Sequence, residues 1–298
     1  MNCNNRAFST IMLLFIFGLI GGCSMDMDIE LPEVEPRMAM YSIISPGNPI
    51  EARLTFTQPI TQNMGYENKN WINDAVVRIS EPGGASVVLE NENSGSYLNS
   101  LIPQENRTYK FQAEHANYEN ISAETTIPYA VPVISIDTLT ETISDGVEVE
   151  KRLLTRVKFQ DPSETKNYYM VSKYTSWDEN SGENLDYIWS YMEGYGILNV
   201  GGAIVFSDEM FNGQVFTVKF AGNEYYYDAV GVEQLMGEGC IYFCSIDENF
   251  YKYMLSMHKK NSGDEFEFFT EPVQIFSNVE NGLGLFGSYS LKKYSIDY

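Results

Sequence analysis

Ile50-Glu51-Ala52-Arg53-Leu54-Thr55-Phe56 alternates apolar and polar side chains without a break, and that period of two decides the fold. Successive side chains on a strand point to opposite faces, so the run predicts a strand with one face in a core and the other in water. The rhythm returns at Tyr109-Lys110-Phe111-Gln112-Ala113. Turn-forming groups at Ser45-Pro46-Gly47-Asn48, Glu81-Pro82-Gly83-Gly84 and Asn93-Ser94-Gly95 punctuate the pattern. They leave about seven short strands between Arg37 and Pro128, the spacing of an immunoglobulin-like β-sandwich over residues 37–130. The paired cysteines of antibody domains are missing, so the rhythm alone carries this expectation.

Ile127-Pro128-Tyr129-Ala130-Val131-Pro132 marks the expected domain boundary, since proline removes ladder donors and stiffens a short interdomain hinge. Beyond it, Leu153 to Phe159, Tyr168 to Tyr174 and Val215 to Phe220 read as strands, the last entered through a hairpin turn at Phe211-Asn212-Gly213-Gln214. One helix is expected. Ser245-Ile246-Asp247-Glu248 has the form of a capping box, with Ile246, Phe250, Tyr253, Met254 and Met257 at helical spacing and His258, Lys259 and Lys260 at the negative end of the dipole. Near the C-terminus, Val273 to Phe276 reads as a strand followed by a turn punctuated by Gly282, Gly284 and Gly287. Residues 131–298 therefore form a second β-rich domain with one helix.

The N-terminus predicts a destination. Phe8 to Ile20 is an apolar core preceded by Arg6, closing on Gly21-Gly22 before Cys23; this is a secretory signal too short to span a membrane. Ile20-Gly21-Gly22-Cys23 resembles a bacterial lipobox, so residues 1–22 are expected to be removed and Cys23 to carry acyl chains, palmitate among them. Multiple acylation meets the roughly two signals that stable anchoring requires. Residues 23–36 alternate acids with apolar residues and prolines, an extended acidic tether.

The full chain has a net charge of −22, and removal of residues 1–22 takes away one arginine and no acid. Such a body repels nucleic acid, so a nucleic-acid partner is excluded. Cys240 and Cys244 are the cysteines left in the fold, about 13 Å apart if on one strand, and they read as two buried thiols. Asp178-Glu179-Asn180-Ser181-Gly182-Glu183-Asn184-Leu185-Asp186 places oxygen ligands at alternate positions but lacks the EF-hand spacing. An acidic surface loop is the first reading; a weak calcium site on Asp178, Asn180 and Asp186 is the alternative. Trp177, Tyr187, Trp189, Tyr191 and Tyr195 crowd one segment that suits either strand packing or a surface for a ligand or partner. No metalloprotease, nucleophile-elbow, phosphate-loop or cofactor motif is present, so no catalytic residue, metal or cofactor is assigned and the chain is not expected to be an enzyme.

The segment from Thr270 to Tyr289, Thr-Glu-Pro-Val-Gln-Ile-Phe-Ser-Asn-Val-Glu-Asn-Gly-Leu-Gly-Leu-Phe-Gly-Ser-Tyr, resembles the C-terminal signature of the Bacteroidota lipoprotein family called domain of unknown function 4249. Ala75-Val76-Val77-Arg78-Ile79, Gly95-Ser96-Tyr97, Thr126-Ile127-Pro128, Asp161-Pro162 and Asn167-Tyr168-Tyr169 agree with it. The resemblance implies location and company: genes of this family commonly lie beside TonB-dependent receptors. It carries over no catalytic residue. The expectation is a surface-exposed outer-membrane lipoprotein that serves a TonB-dependent receptor as an accessory or ligand-capture partner in nutrient uptake. The alternative is a structural or adhesion lipoprotein that needs no receptor.

Overall fold

Strands dominate the chain, as the alternation requires. The structure, a computed structural model, describes residues 35–58, 70–144, 149–176, 183–186, 188–190, 192, 195–222, 225–227, 233–235, 238–261 and 273–297. Seven strands fill the first part: β1 (Met38–Ile44), β2 (Ile50–Phe56), β3 (Val76–Ser80), β4 (Val87–Asn91), β5 (Ser96–Asn99), β6 (Thr108–His115) and β7 (Tyr118–Thr126). Then come β8 (Val133–Ser144), β9 (Val149–Gln160), β10 (Tyr168–Ser176), β11 (Glu183–Asp186), β12 (Ile188–Trp189), β13 (Leu198–Val200) and β14 (Ala203–Ser207). β15 (Val215–Gly222), β16 (Tyr225–Tyr227), β17 (Glu233–Leu235), β18 (Glu238–Ile246), helix α1 (Glu248–Asn261) and β19 (Leu283–Asp297) complete the described elements.

The first seven strands form a sandwich as expected, with β19 from the far end of the described chain added to one layer. One layer runs β19-β1-β2-β5, and the other β3-β6-β7. β4 crosses between them, pairing β5 through Glu90 and Asn91 and β3 through Val87 to Leu89. Alternation carries through to burial: in β2, Ile50, Ala52 and Leu54 are fully buried while Glu51 and Arg53 face water. The turns fall where the sequence places them, with Gly84 N donating to Glu81 O at 2.9 Å and Ser96 N to Asn93 O at 2.9 Å.

A second sandwich follows. The sheet β12-β15-β9-β8 faces the strands β14, β10, β18 and the second half of β19 across a core that includes Val157, Phe159, Tyr169, Phe206, Phe216 and Phe243. α1 covers the outer face of that larger layer through Phe250, against Val205, Cys244, Ile246 and Leu285. All five residues of β14 are consequently buried. The first core takes its members from Met38 to Ile127 and then Val279 and Phe286 from the far end of the described chain, the second starts at Val131, and Pro36 to Tyr298 make one compact unit.

Three local expectations are corrected. Residues 273–279 form no regular element; the glycine-rich stretch after them is itself the strand, β19. At Gly284, φ is +117° and a Cβ would sit 1.8 Å from Met40 O, so only glycine lets β19 come this close to β1. Its residues 283–288 run parallel to β1 and residues 289–297 antiparallel to β18, so one strand serves both sandwiches. The turn at Phe211 to Gln214 forms, with Gln214 N on Phe211 O at 2.8 Å, yet it joins no hairpin: β14 lies in the large sheet and β15 pairs β9 in the other. Finally, Ser245 is no helix cap, because it is held in the β18 ladder opposite Ser290. Asp247 caps α1 instead, accepting Phe250 N at 3.1 Å and Asn249 N at 3.3 Å. Cys240 and Cys244 both lie on β18, but only Cys244 is buried as expected, Cys240 being half-buried, and burial pushes the Cys244 thiol up to about 12.

Candidate functional site

Residues 127–132 lie in no sheet, so their backbone groups need other partners. Ile127 pairs with backbone, donating to Arg107 O at 3.0 Å and accepting from Asn106 N at 2.8 Å, and side chains of β18 and β19 hold the chain on either side. Ser290 Oγ donates to Pro128 O at 2.6 Å, and Ser288 Oγ donates to Thr126 O at 3.0 Å. Val131 N donates to Ser245 Oγ at 3.2 Å, and Val133 N to Tyr294 Oη at 2.8 Å. The proline-flanked stretch is thus a strap pinned on both sides of Tyr129 and Ala130, where the sequence suggested a hinge.

This strap forms one wall of a cleft of about 1100 Å³. The loop of residues 161–167 between β9 and β10 forms a second wall, and the start of α1 closes the end. The loop is braced by the turn at residues 208–214. Asp161, buried, accepts Tyr169 Oη at 2.5 Å and Gly213 N at 2.8 Å. Asp208, also buried, accepts Asn167 N at 2.7 Å, and Asn167 Nδ2 donates to Pro162 O at 2.9 Å. Gly213 has φ +70°, and a Cβ there would lie 2.7 Å from Ser163 Cβ, so the two turns can cross only at glycine. Burial raises the Asp208 carboxyl above the ordinary range, with the neighbouring Asp161 adding to it; burial and the Asp161 hydrogen bond raise Tyr169 strongly.

At the closed end, Asp247 joins three elements. Besides capping α1 it accepts Ser288 N at 2.9 Å and Thr125 Oγ1 at 2.9 Å, tying β7 and β19 to the helix. Burial raises its pKa although these donors pull it down. Tyr168 stacks on Tyr251 at 4.6 Å and donates to Glu248, which also takes Lys252 at 3.1 Å; that bond holds Glu248 below its usual range. The three buried aspartates therefore serve the scaffold, accepting backbone N–H and hydroxyl protons.

Other lining groups are uncommitted. Among the described residues the side chains of Asn106, Glu124, Ser163 and Glu164 make no hydrogen bond, and Lys166 lies over the Tyr168 ring at 5.7 Å. Tyr129, on the strap, is 63% exposed. Sequence reasoning saw the prolines around it and missed its ring.

Of the aromatic candidates, Trp177, Tyr187 and Tyr191 lie outside the described residues, as do Cys23, Asp178 and Asn180. Trp189 lies on β12 opposite Ala221, and Asp186 on β11 opposite Lys173. Tyr195 is exposed at 39% with its ring 5.3 Å from Phe216, so it edges the second core as well as facing water. Among the described residues no group of three or more His, Cys, Asp or Glu could hold a metal ion, and no helix is long and apolar enough to cross a membrane.

No curated protein matches the chain. A family model does, over residues 25–295, and the chain belongs to that family, described as domain of unknown function (DUF4249).

Proposed function

We propose that this protein is an outer-membrane lipoprotein, anchored through Cys23 and exposed at the cell surface, that captures a ligand for a TonB-dependent receptor. The observation that carries the ligand-capture part is the seam cleft: its walls are braced before any ligand arrives, and its buried carboxylates are committed to the scaffold. A preformed concave site of this kind suits binding without chemistry, because little ordering cost remains to be met. The lipobox-like Ile20-Gly21-Gly22-Cys23 and the acidic residues after it support the anchored location.

The test is affinity purification of a C-terminally tagged copy from detergent-solubilised outer membranes, followed by mass spectrometry. Near-stoichiometric recovery of one TonB-dependent receptor supports the partnership; recovery of the lipoprotein alone turns the reading to adhesion or a structural role. Within the complex, the segment from Trp177 to Tyr195 is the assigned contact surface. Trp189→Ala combined with Tyr191→Ala should weaken receptor recovery about tenfold or more with the fold retained. Unchanged recovery would remove that surface from the proposal.

A further inference from the structure

We propose that the seam cleft binds a short neutral oligosaccharide, with Tyr129 as its stacking platform; the inference rests on the ligand-capture reading and names the ligand class. The uncommitted side chains decide the chemistry. Anionic ligands meet Glu124, Glu164 and Glu248 on a body of net charge −22 and are repelled. Apolar ligands would bury carboxylates, amides and hydroxyls without partners, which costs free energy for each group. A compact cation finds Glu248 already bound to Lys252 and Tyr168, and the Lys166 ammonium standing in the same cleft.

Neutral hydroxyls fit what remains. Each can both give and accept a hydrogen bond, so acceptors such as Glu124 and Glu164 and donors such as Asn106 and Lys166 can be used by one molecule. A sugar ring also has a face of C–H groups. Tyr129, exposed at 63% and lining the cleft next to the pinned Pro128 carbonyl, offers a flat ring for that face. A volume of about 1100 Å³ exceeds what one small ligand fills and suits several linked rings.

The experiment is a titration of the detergent-solubilised full chain against short neutral glycans carrying α- and β-linkages. Hexalysine serves as the cationic control and an oligogalacturonate as the anionic one. Expected are binding of at least one neutral glycan, an affinity loss of about tenfold in Tyr129→Ala, near-wild-type affinity in Tyr129→Phe, and an unchanged melting temperature in both. Failure of every neutral glycan to bind, hexalysine binding more tightly than any of them, or wild-type affinity in Tyr129→Ala would each overturn the proposal. Receptor co-purification of Tyr129→Ala separates the two readings. Receptor recovered without glycan binding defeats this inference alone; glycan bound without receptor defeats the partnership alone.

Discussion

The two sandwiches share an alternating pattern and fill their cores differently. Among the described residues, four of the nineteen buried side chains in the first core are aromatic, against seven of fifteen in the second. In the first, burial is spread over many aliphatic residues, Ile50, Leu54, Val77 and Ile79 among them. In the second it centres on Phe159, whose ring contacts Tyr169, Phe206, Phe211, Phe216 and Phe243 at centroid distances from 4.8 to 6.3 Å. A distributed core tolerates loss of one member better than a core built around a hub, because the surrounding rings cannot all relax into one vacated volume.

The largest expected effect tests that hub. Phe159→Ala should cost about 3–5 kcal/mol by denaturant unfolding, and Ile79→Val in the first core only about 1 kcal/mol. Since β19 belongs to both layers, unfolding should remain a single transition; two separated transitions would break the coupling. Gly284→Ala attacks the coupling itself. With φ at +117° and Met40 O in the way, it should cost about 3 kcal/mol and lower amide protection in β1 before β18. Equal loss in both strands would show that the sandwiches cannot be separated at this point.

Asp247→Asn comes next, at about 2 kcal/mol, because the amide cannot accept from all four donors that the carboxylate serves. Its pH dependence has a definite sign. Burial raises the folded-state pKa, so the folded protein keeps the Asp247 proton where the unfolded chain has released it. This group's contribution to stability therefore falls as pH rises from the unfolded value, about 4, to the folded one, and is level above that. Asp208 acts in the same direction. Asp247→Asn should flatten the slope in a chemical-denaturation series across that window. The smallest effect is Ser290→Ala, about 1 kcal/mol, which frees the Pro128 carbonyl from its hydroxyl donor. If Ser290→Ala also leaves glycan affinity intact, the remaining pins suffice to hold the strap.

How far the sequence could be read follows from which interactions are local. The seven strands of the first sandwich were legible because one face of each is wet and alternation survives, as in Ile50 to Phe56. β19 was not: Leu285, Phe286, Ser288 and Ser290 are buried on both of its faces, which erases the period of two, and its glycines imitate a turn. The helix was legible in its Phe250 stripe but not at its start, since the β18 ladder, set by tertiary pairing, overrides the capping pattern at Ser245. The cleft was illegible for a different reason. Asn106, Tyr129, Asp161 and Asp247 meet only after both sandwiches and the helix have formed, and no spacing along the chain records that meeting.

The parallel pairing of Ala39 with Leu283 also sets an order of events. A polypeptide emerging N-terminus first presents β1 long before its neighbour exists, so the first sandwich has an open edge until almost all of the described chain has appeared. Completion of the first sandwich therefore waits for residues 283–288, and a chain cut short before residue 283 would carry an unguarded strand that invites pairing with other molecules.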